Sequence, residues 1–170
     1  MKIPKHAKRV FKGIIYNVYH WKQKTFNGGY ATFEGLKRRN TCQVIALLNG
    51  KIVVCEHKLL SHPGEKIYGL PGGRQDTGEK PLETAKRELL EETGLSSSDW
   101  KLFKTLEPRG EIDHSVFVFI ARNCRKTAQP KQDSSEKIKH GLLSFNKFLA
   151  LVKTYEFQDF EFKHELQRQS

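Results

Sequence analysis

The apolar residues of this chain fall into short runs rich in β-branched and aromatic side chains, which is typical of β-strands. Two such runs, at residues 41–48 and 51–57, flank Asn49-Gly50, a dipeptide that favours a tight β-hairpin turn. The predicted strands are residues 9–19, continued through 21–26, then 30–36, 41–48, 51–57, 67–70, 100–106, 114–121 and a last one around Leu142, Leu143 and Phe145.

One segment follows helical spacing instead. Leu82, Ala85 and Leu89 recur at intervals of three and four residues, which places them on one face of a helix. Pro81 suits the first turn of this helix, and Gly94 suits the residue that ends it. The other predicted elements are a long polar loop and two short helices, at residues 122–139, 148–152 and 157–167.

The 170 residues carry a formal net charge of +11, and the excess is concentrated at the N-terminus. Ten of the 30 Lys and Arg residues lie among the first 40 residues, together with a single acid, Glu34. Such a segment favours an anionic partner, although a basic surface that only aids solubility has the same pattern. Three distant cysteines without a CxxC pair argue against zinc and disulfides, and no apolar run approaches the ~20 residues that span a bilayer. We therefore expect a cytoplasmic protein without a membrane association.

The predicted helix carries three carboxylates within five residues. Glu88, Glu91 and Glu92 are separated by three or four positions, so all can point to one side. The helix follows Gly72-Gly73, whose backbone can approach a ligand closely. Carboxylate oxygens suit Mg²⁺ or Mn²⁺, which complete their shells with water and phosphate. A solvated acidic face has the same three residues, but next to the glycine loop they predict a metal site that cleaves a diphosphate.

The stretch from Gly73 to Leu95 resembles the Nudix box, Gly-x5-Glu-x7-Arg-Glu-U-x-Glu-Glu-x-Gly-U, in which U is aliphatic. The chain fills every position of this pattern, with Gly73, Glu79, Arg87, Glu88, Leu89, Glu91, Glu92, Gly94 and Leu95. The resemblance implies a Nudix α/β/α sandwich around a mixed sheet. It also implies hydrolysis of a nucleoside diphosphate that is linked to another group.

The same resemblance implies roles for the residues of the box. The implied metal ligands are Glu88, Glu92, Glu91 as a third ligand or near neighbour, and the backbone carbonyl of Gly72. Arg87 would orient the carboxylates during catalysis, and Glu79 would tie the loop to the helix.

About 70 residues precede the box, enough for an extra N-terminal antiparallel β-segment over residues 1–40, ahead of a Nudix domain over residues 41–170. This arrangement is similar to that of ADP-ribose pyrophosphatases and related nucleoside-diphosphate-sugar hydrolases, whose N-terminal strands pack on or exchange with a second subunit. The resemblance thus implies a homodimer that cleaves a nucleotide-sugar into a nucleoside monophosphate and a sugar phosphate. The alternatives are RNA 5′-pyrophosphate removal, nucleoside-triphosphate cleavage and a non-catalytic nucleotide-binding module.

Members of that group carry a catalytic glutamate on a loop before the last strand and helix, and Glu136 occupies the corresponding place. Glu136 is therefore the candidate general base that activates the attacking water. Its neighbours are serines and a lysine where the group has several acids. Glu111 and Asp113, on a loop between two predicted strands, are therefore alternative bases.

Further residues are candidates for contact with the substrate. Arg38, Arg39 and Arg74 could bind phosphate, because guanidinium groups match the geometry of phosphate oxygens. Trp21 could stack on a nucleobase, although an aromatic residue in this position could equally belong to a core or a dimer interface. Gly73 could let the backbone approach the substrate closely.

Overall fold

A computed structural model of the chain describes residues 1–59, 64–107, 110–131, 136–159 and 162–163, with the side chains of Leu59 and Glu136 outside the description. The strands are Lys8–Lys12 (β1), Asn17–Lys24 (β2), Tyr30–Lys37 (β3), Thr41–Leu48 (β4), Lys51–Leu59 (β5), Ile67–Gly69 (β6), Gly72–Arg74 (β7), Leu95–Ser96 (β8), Asp99–Leu106 (β9), Ile112–Asp113 (β10), Val116–Arg122 (β11), Arg125–Lys126 (β12) and Glu136–Leu143 (β13). The two main helices are Pro81–Thr93 (α1) and Phe145–Val152 (α2).

The strands form two principal sheets. The larger sheet has the order β13-β5-β4-β11-β9, with β6 paired to β5 and β7 paired to β4. Its two central strands, β4 and β11, are parallel, whereas β9 and β13 pair antiparallel with their neighbours, so the sheet is mixed as predicted. The smaller sheet has the order β1-β2-β3-β10 and supplies the N-terminal antiparallel β-segment.

A helix covers each face of the larger sheet. Leu89 of α1 packs with Val44 in one core cluster, and Phe148 of α2 packs with Val54 in another. Strand β11 contributes to both clusters, since its alternate side chains point to opposite faces. This arrangement confirms the predicted α/β/α sandwich. The predicted division of the chain at residue 40 falls between β3 and β4 and stays a prediction.

Local signals in the sequence explain the main turns. Asn49 and Gly50 both have left-handed backbone angles, with φ of 51° and 71°, as the predicted tight hairpin turn requires. Helix α1 begins at Pro81, ends at Thr93 and is capped by Gly94, whose φ of 71° lets its N–H reach the Leu90 carbonyl at 2.8 Å. No helix within the described ranges is both long and apolar enough to cross a membrane.

The prediction of one continuous strand through residues 9–26 is wrong. Residues 13–16 form a turn, in which the Gly13 N–H donates to the Tyr16 carbonyl at 3.0 Å, and β1 folds back antiparallel on β2. A Cβ at Gly13 would collide with that carbonyl. The glycine in this β-rich run therefore marks a chain reversal and not the interior of a strand.

Two boundaries near the C-terminus also differ from the prediction. Phe145 begins α2 instead of ending the last strand, because the backbone is already helical from this residue. Strand β13 begins at Glu136, inside the predicted loop, because β5 extends to Leu59 and pairs with it. Most of the helix predicted within residues 157–167 lies outside the described residues.

Candidate active site

The glycine loop is wedged between β4 and α1. Gly72 pairs with Gln43 of β4, and a Cβ at Gly72 would collide with the carbonyl oxygen of Cys42. A Cβ at Gly73 would collide with the carboxylate of Glu88 on α1. The absence of side chains at both positions therefore brings the loop backbone against the acidic face of the helix.

Arg87 is the centre of the ionic network in the box. Its Nε and Nη2 donate to the two carboxylate oxygens of Glu79, each at 3.0 Å. Its Nη1 donates to Glu88 at 2.8 Å and to Glu91 at 3.1 Å. Nη2 also donates to the Arg74 carbonyl at 3.1 Å. One guanidinium therefore joins the loop to α1 and offsets the repulsion among the carboxylates.

The protonation equilibria reflect this network. Hydrogen bonds from Arg87, with smaller contributions from the Asp76 N–H and the Thr84 hydroxyl, outweigh burial and lower the pKa of Glu79 to about 2. The same ion pair raises the pKa of Arg87. Burial raises the pKa of Glu88, although Arg87 opposes this effect. Burial therefore acts against ionisation of Glu88.

Glu92 contacts the loop directly. Its carboxylate accepts a hydrogen bond from the Gly72 N–H at 3.0 Å, and the Cys55 thiol lies 3.8 Å from the same oxygen. Glu92 is 9% exposed, so this contact is largely shielded from water. The Glu92 carboxylate on α1 is therefore adjacent to the Gly72 backbone on the loop, and both belong to residues that are candidate metal ligands.

In the described part of the chain, no three acidic, imidazole or thiol side chains converge as a ready-made metal site. Arg87 engages Glu88 and Glu91, and Glu92 is turned toward Gly72. The carboxylate oxygens nevertheless fit a hard cation. The Glu88 side chain is only 14% exposed, and burial raises its pKa. A positive charge beside it would favour the ionised carboxylate.

A cleft of about 510 Å³ lies beside this network. Its walls come from the N-terminal sheet, from residues 37–40 and from the loop at residues 75–79. Arg39 lines the cleft and donates to Asp76 on the opposite wall at 2.8 Å. The volume is typical of sites for small organic ligands, and the cations on its walls favour an anionic one.

Arg38 lies in the same cleft in a more enclosed setting. Its guanidinium carbon is 5.6 Å from the centre of the Tyr16 ring, and Nη1 donates to the Tyr16 hydroxyl at 3.4 Å. Its Nε is buried without a hydrogen-bond partner among the described residues, as is Oδ1 of Asn17, which lines the cleft too. Arg74 is exposed at the end of β7 and is not among the described residues that line this cleft.

The structure brings Trp21 into the packing of the N-terminal sheet. It is 6% exposed, its ring centre lies 6.2 Å from that of Phe33, and its indole N–H donates to Gln23 at 2.9 Å. This position corresponds to the core alternative for Trp21. Tyr19, two residues earlier on β2, lines the cleft instead.

Asp113, one of the alternative bases, is engaged in a different task. It accepts a hydrogen bond from the Ile3 N–H at 3.2 Å and pairs with Lys2 at 3.4 Å and Lys37 at 3.3 Å. Burial alone would raise its pKa, but these contacts outweigh burial and lower the pKa of Asp113. Asp113 therefore fastens the N-terminal segment to the cleft, and its low pKa makes it a weak general base.

The other two base candidates are Glu136 and Glu111. Glu136 begins β13, and its side chain lies outside the described residues. Glu111 is exposed, and its carbonyl accepts a hydrogen bond from the Leu36 N–H at 2.8 Å. The choice between them stays a prediction.

Three polar residues of the cleft had no signal in the sequence. Asp76 holds Arg39, and Gln75 accepts a hydrogen bond from the Asn40 side chain at 3.3 Å. Asn40 also accepts from the Ser115 N–H at 3.0 Å. Asp76 and Gln75 occupy positions that the box leaves free, so only the folded loop shows that they face β3 and β4.

Comparisons with known proteins agree with this geometry. The family model described as NUDIX domain matches residues 37–166. The chain is 29% identical to the ADP-ribose pyrophosphatase of Mycobacterium tuberculosis over 126 residues, which cover 73% of this chain and 61% of that protein, less than two thirds of its length. It is 28% identical to the ADP-ribose pyrophosphatase of Bacillus subtilis over 163 residues, which cover 94% of this chain and 87% of that protein.

A solved structure extends the comparison to the fold. The crystal structure of an ADP compounds hydrolase matches with a TM-score of 0.75, over 98% of this chain and 94% of that chain, at 17% sequence identity. At this level of identity the match shows a common fold.

The Arg87–Glu79 pair predicts a specific pH dependence of stability. The Glu79→Gln substitution should lower the free energy of unfolding at neutral pH by about 1 to 2 kcal/mol, because it removes a carboxylate whose pKa is lowered to about 2 on folding and whose ion pair solvent screens in part. A lowered pKa stabilises the fold above the unfolded value, and this stabilisation is lost as the pH falls through the folded value. The difference in unfolding free energy between the wild type and Glu79→Gln should therefore be constant above about pH 5 and should decrease below about pH 4.5. Urea unfolding in the presence of EDTA measures this difference.

Glu83→Gln is the matched control. It removes a carboxylate from the first turn of the same helix but keeps an acceptor for the Lys80 N–H, which is 2.8 Å away. Its cost should stay within about 0.5 kcal/mol. If the difference in unfolding free energy between the wild type and Glu79→Gln stays constant down to about pH 3, the lowered pKa of Glu79 is contradicted.

Proposed function

Since the chain belongs to the NUDIX domain family and is a hydrolase of pyrophosphate bonds, we propose that its substrate is ADP-ribose or a related nucleoside-diphosphate-sugar. The family and the enzyme class agree with the sequence prediction from residues 73–95. Two relatives that bear the name ADP-ribose pyrophosphatase support this substrate class, one of them over nearly the whole chain.

The observation that carries the proposal is the place of the cleft. It lies between the box loop and the basic residues that follow β3, and it is lined by Glu79, the carboxylate that binds Arg87 of α1. We assign Arg38 and Arg39 to the phosphates, with Arg39 exchanging Asp76 for a phosphate oxygen when the substrate binds. The nucleoside then lies toward the N-terminal sheet, where Tyr19 offers an aromatic face.

Hydrolases of this family generally use a divalent metal. We propose that Glu88, Glu92, Glu91 and the Gly72 carbonyl hold Mg²⁺ or Mn²⁺, which when bound neutralises phosphate charge and makes water more acidic. Glu88 and Glu91 would then interact both with the cation and with Arg87. Arg87 keeps these carboxylates oriented, and Glu79 keeps Arg87 in place.

The reaction needs a base as well as charge neutralisation. We propose that Glu136 accepts the proton of the attacking water, with Glu111 as the alternative. The water oxygen forms a bond to one phosphorus, and the bridging P–O bond breaks. The products are a nucleoside monophosphate and a sugar phosphate, so the two halves of the substrate leave with one phosphate each.

We also propose that the N-terminal sheet mediates a homodimer. Apolar side chains are unusually exposed on and after β1, with Phe11 at 60%, Ile14 at 98% and Ile15 at 48% exposure. Exposed apolar patches of this kind usually mark an interaction site. A second copy of the chain is the partner that the predicted N-terminal segment implies.

For the cell, we propose the cytoplasm as the compartment. Cys42 and Cys124 are buried and form no disulfide in the structure, and reduced thiols fit a reducing compartment.

A substrate panel tests the proposed activity. With Mg²⁺, the protein should cleave ADP-ribose or another nucleotide-sugar with a higher kcat/KM than dinucleoside polyphosphates, nucleoside triphosphates or 5′-triphosphate RNA. Glu92→Gln should lower turnover by about 100-fold or more, because it weakens the proposed metal site, whereas Glu83→Gln should leave turnover unchanged. Cleavage of RNA without cleavage of any nucleotide-sugar would refute the proposed substrate and favour the alternative that the basic N-terminus suggests.

Sedimentation velocity tests the dimer. The wild type should sediment as a dimer, and the double substitution Phe11→Ser with Ile14→Ser should give a monomer, because it removes the apolar patch. Tyr155→Ser is the control, since Tyr155 is 80% exposed but lies near the C-terminus. A wild type that sediments only as a monomer at high concentration would reject the proposed interface.

A further inference from the structure

Asp159 lies near the end of the described chain but contacts the segment that enters the glycine loop. Its Oδ2 accepts a hydrogen bond from the Leu70 N–H at 2.6 Å, and its Oδ1 accepts one from the side-chain amide of Gln43 at 2.5 Å. A Cβ at Gly69 would lie 3.2 Å from Oδ2, so a glycine there leaves room for the carboxylate. One side chain therefore joins the C-terminal segment both to β4 and to the approach to the metal loop.

The three residues that lead into the loop are each held from a different side. Leu70 is held by the carboxylate just described. The Pro71 carbonyl accepts a hydrogen bond from the Val44 N–H of β4 at 2.8 Å, and the Gly72 N–H donates to Glu92 of α1 at 3.0 Å. Planar peptide bonds join the three residues, so a shift of one moves its neighbours. The position of the Gly72 carbonyl therefore depends on all three contacts.

The carboxylate is itself held in place by its own segment. The Gln158 N–H donates to the Tyr68 carbonyl at 2.9 Å, and the Tyr68 N–H donates to the Glu156 carbonyl at 2.8 Å. Phe157 is fully buried, with its ring edge-on to a phenylalanine of α2 at a centroid distance of 6.0 Å. Residues 156–159 thus run beside β6 as a fixed support.

We propose that Asp159 is a positioning residue for the metal loop. Its two hydrogen bonds set the path of Leu70 to Gly72, and thereby the relation between the Gly72 carbonyl and Glu92. This inference rests on the proposed function, because those two groups are the ones assigned to the cation. Groups that orient metal ligands from outside the coordination shell typically change metal affinity or activity by about 10- to 100-fold when they are removed.

The test begins with Asp159→Ala. This variant should raise the dissociation constant for Mn²⁺, measured by electron paramagnetic resonance, by about 10-fold, and should lower kcat by about 10- to 100-fold. Glu156→Ala is the matched control, because it removes a carboxylate from the same segment while the backbone carbonyl that bonds Tyr68 stays. The control should match the wild type in both measurements.

The conservative variant separates positioning from charge. Asp159→Asn should restore kcat and Mn²⁺ affinity to within about 3-fold of the wild type, because the new amide can accept from Leu70 and donate to Gln43. The asparagine Oδ1 can accept the hydrogen bond of the Leu70 N–H. The asparagine Nδ2 can donate to Oε1 of Gln43, which has no hydrogen-bond partner in the described structure. If Asp159→Asn is as impaired as Asp159→Ala, the inference is overturned. Gln43→Met, which removes one of the two hydrogen bonds, should give a smaller effect in the same direction.

A metal-free readout keeps this inference separate from the proposed function. In EDTA, amide hydrogen exchange of Leu70 and Gly72 should be faster in Asp159→Ala than in the wild type and unchanged in Glu156→Ala. A wild type without metal-dependent hydrolysis would refute the proposed function while leaving this exchange result in force. Wild-type exchange at both amides in a folded Asp159→Ala protein would instead refute the positioning role.

Discussion

The two-pronged contact between Arg87 and Glu79 is the constraint on which the rest of the site depends. Three glutamates on one face of a helix repel one another, and Gly72 and Gly73 have no side chains with which to hold the start of the loop in place. Arg87 addresses both difficulties, since its Nε and Nη2 bind the loop acid while its Nη1 reaches Glu88 and Glu91. The helix can therefore keep its carboxylates close together before any cation is present.

The fold supplies a rigid frame for that contact. Strand β4 runs through the centre of the larger sheet, and its backbone lies against Gly72 while its apolar side chains pack on α1. Glu92 and Asp159 then hold the entry to the loop from the helix and from the C-terminal segment. The N-terminal sheet closes the other side of the cleft, fastened by the contacts of Asp113 with Lys2 and Ile3. The cleft is thus bounded by parts of the chain that are distant in sequence.

The difference between contacts that are local in sequence and contacts that are distant explains what the sequence could predict. The box residues were predictable, because chemistry at fixed spacings on one helix leaves a local pattern, and so were the hairpin at Asn49-Gly50 and most strands. The sequence left the choice between a core position and a stacking position for Trp21 open, since its burial depends on residues from the extreme N-terminus that fold back over Gly35. The roles of Asp113 and Asp159 were likewise hidden, because their partners lie 110 and 89 residues away. Long-range polar contacts have no periodicity to reveal them.

A double-mutant cycle on Arg87→Lys and Glu79→Gln tests the central claim most directly. Lysine keeps the charge but loses the planar fork, so the two substitutions remove the same contact from either side. Urea unfolding of the four proteins at neutral pH in EDTA should give a coupling free energy of about 1.5 kcal/mol or more. Substitutions that are additive within about 0.5 kcal/mol would show that Arg87 and Glu79 do not hold the loop to the helix.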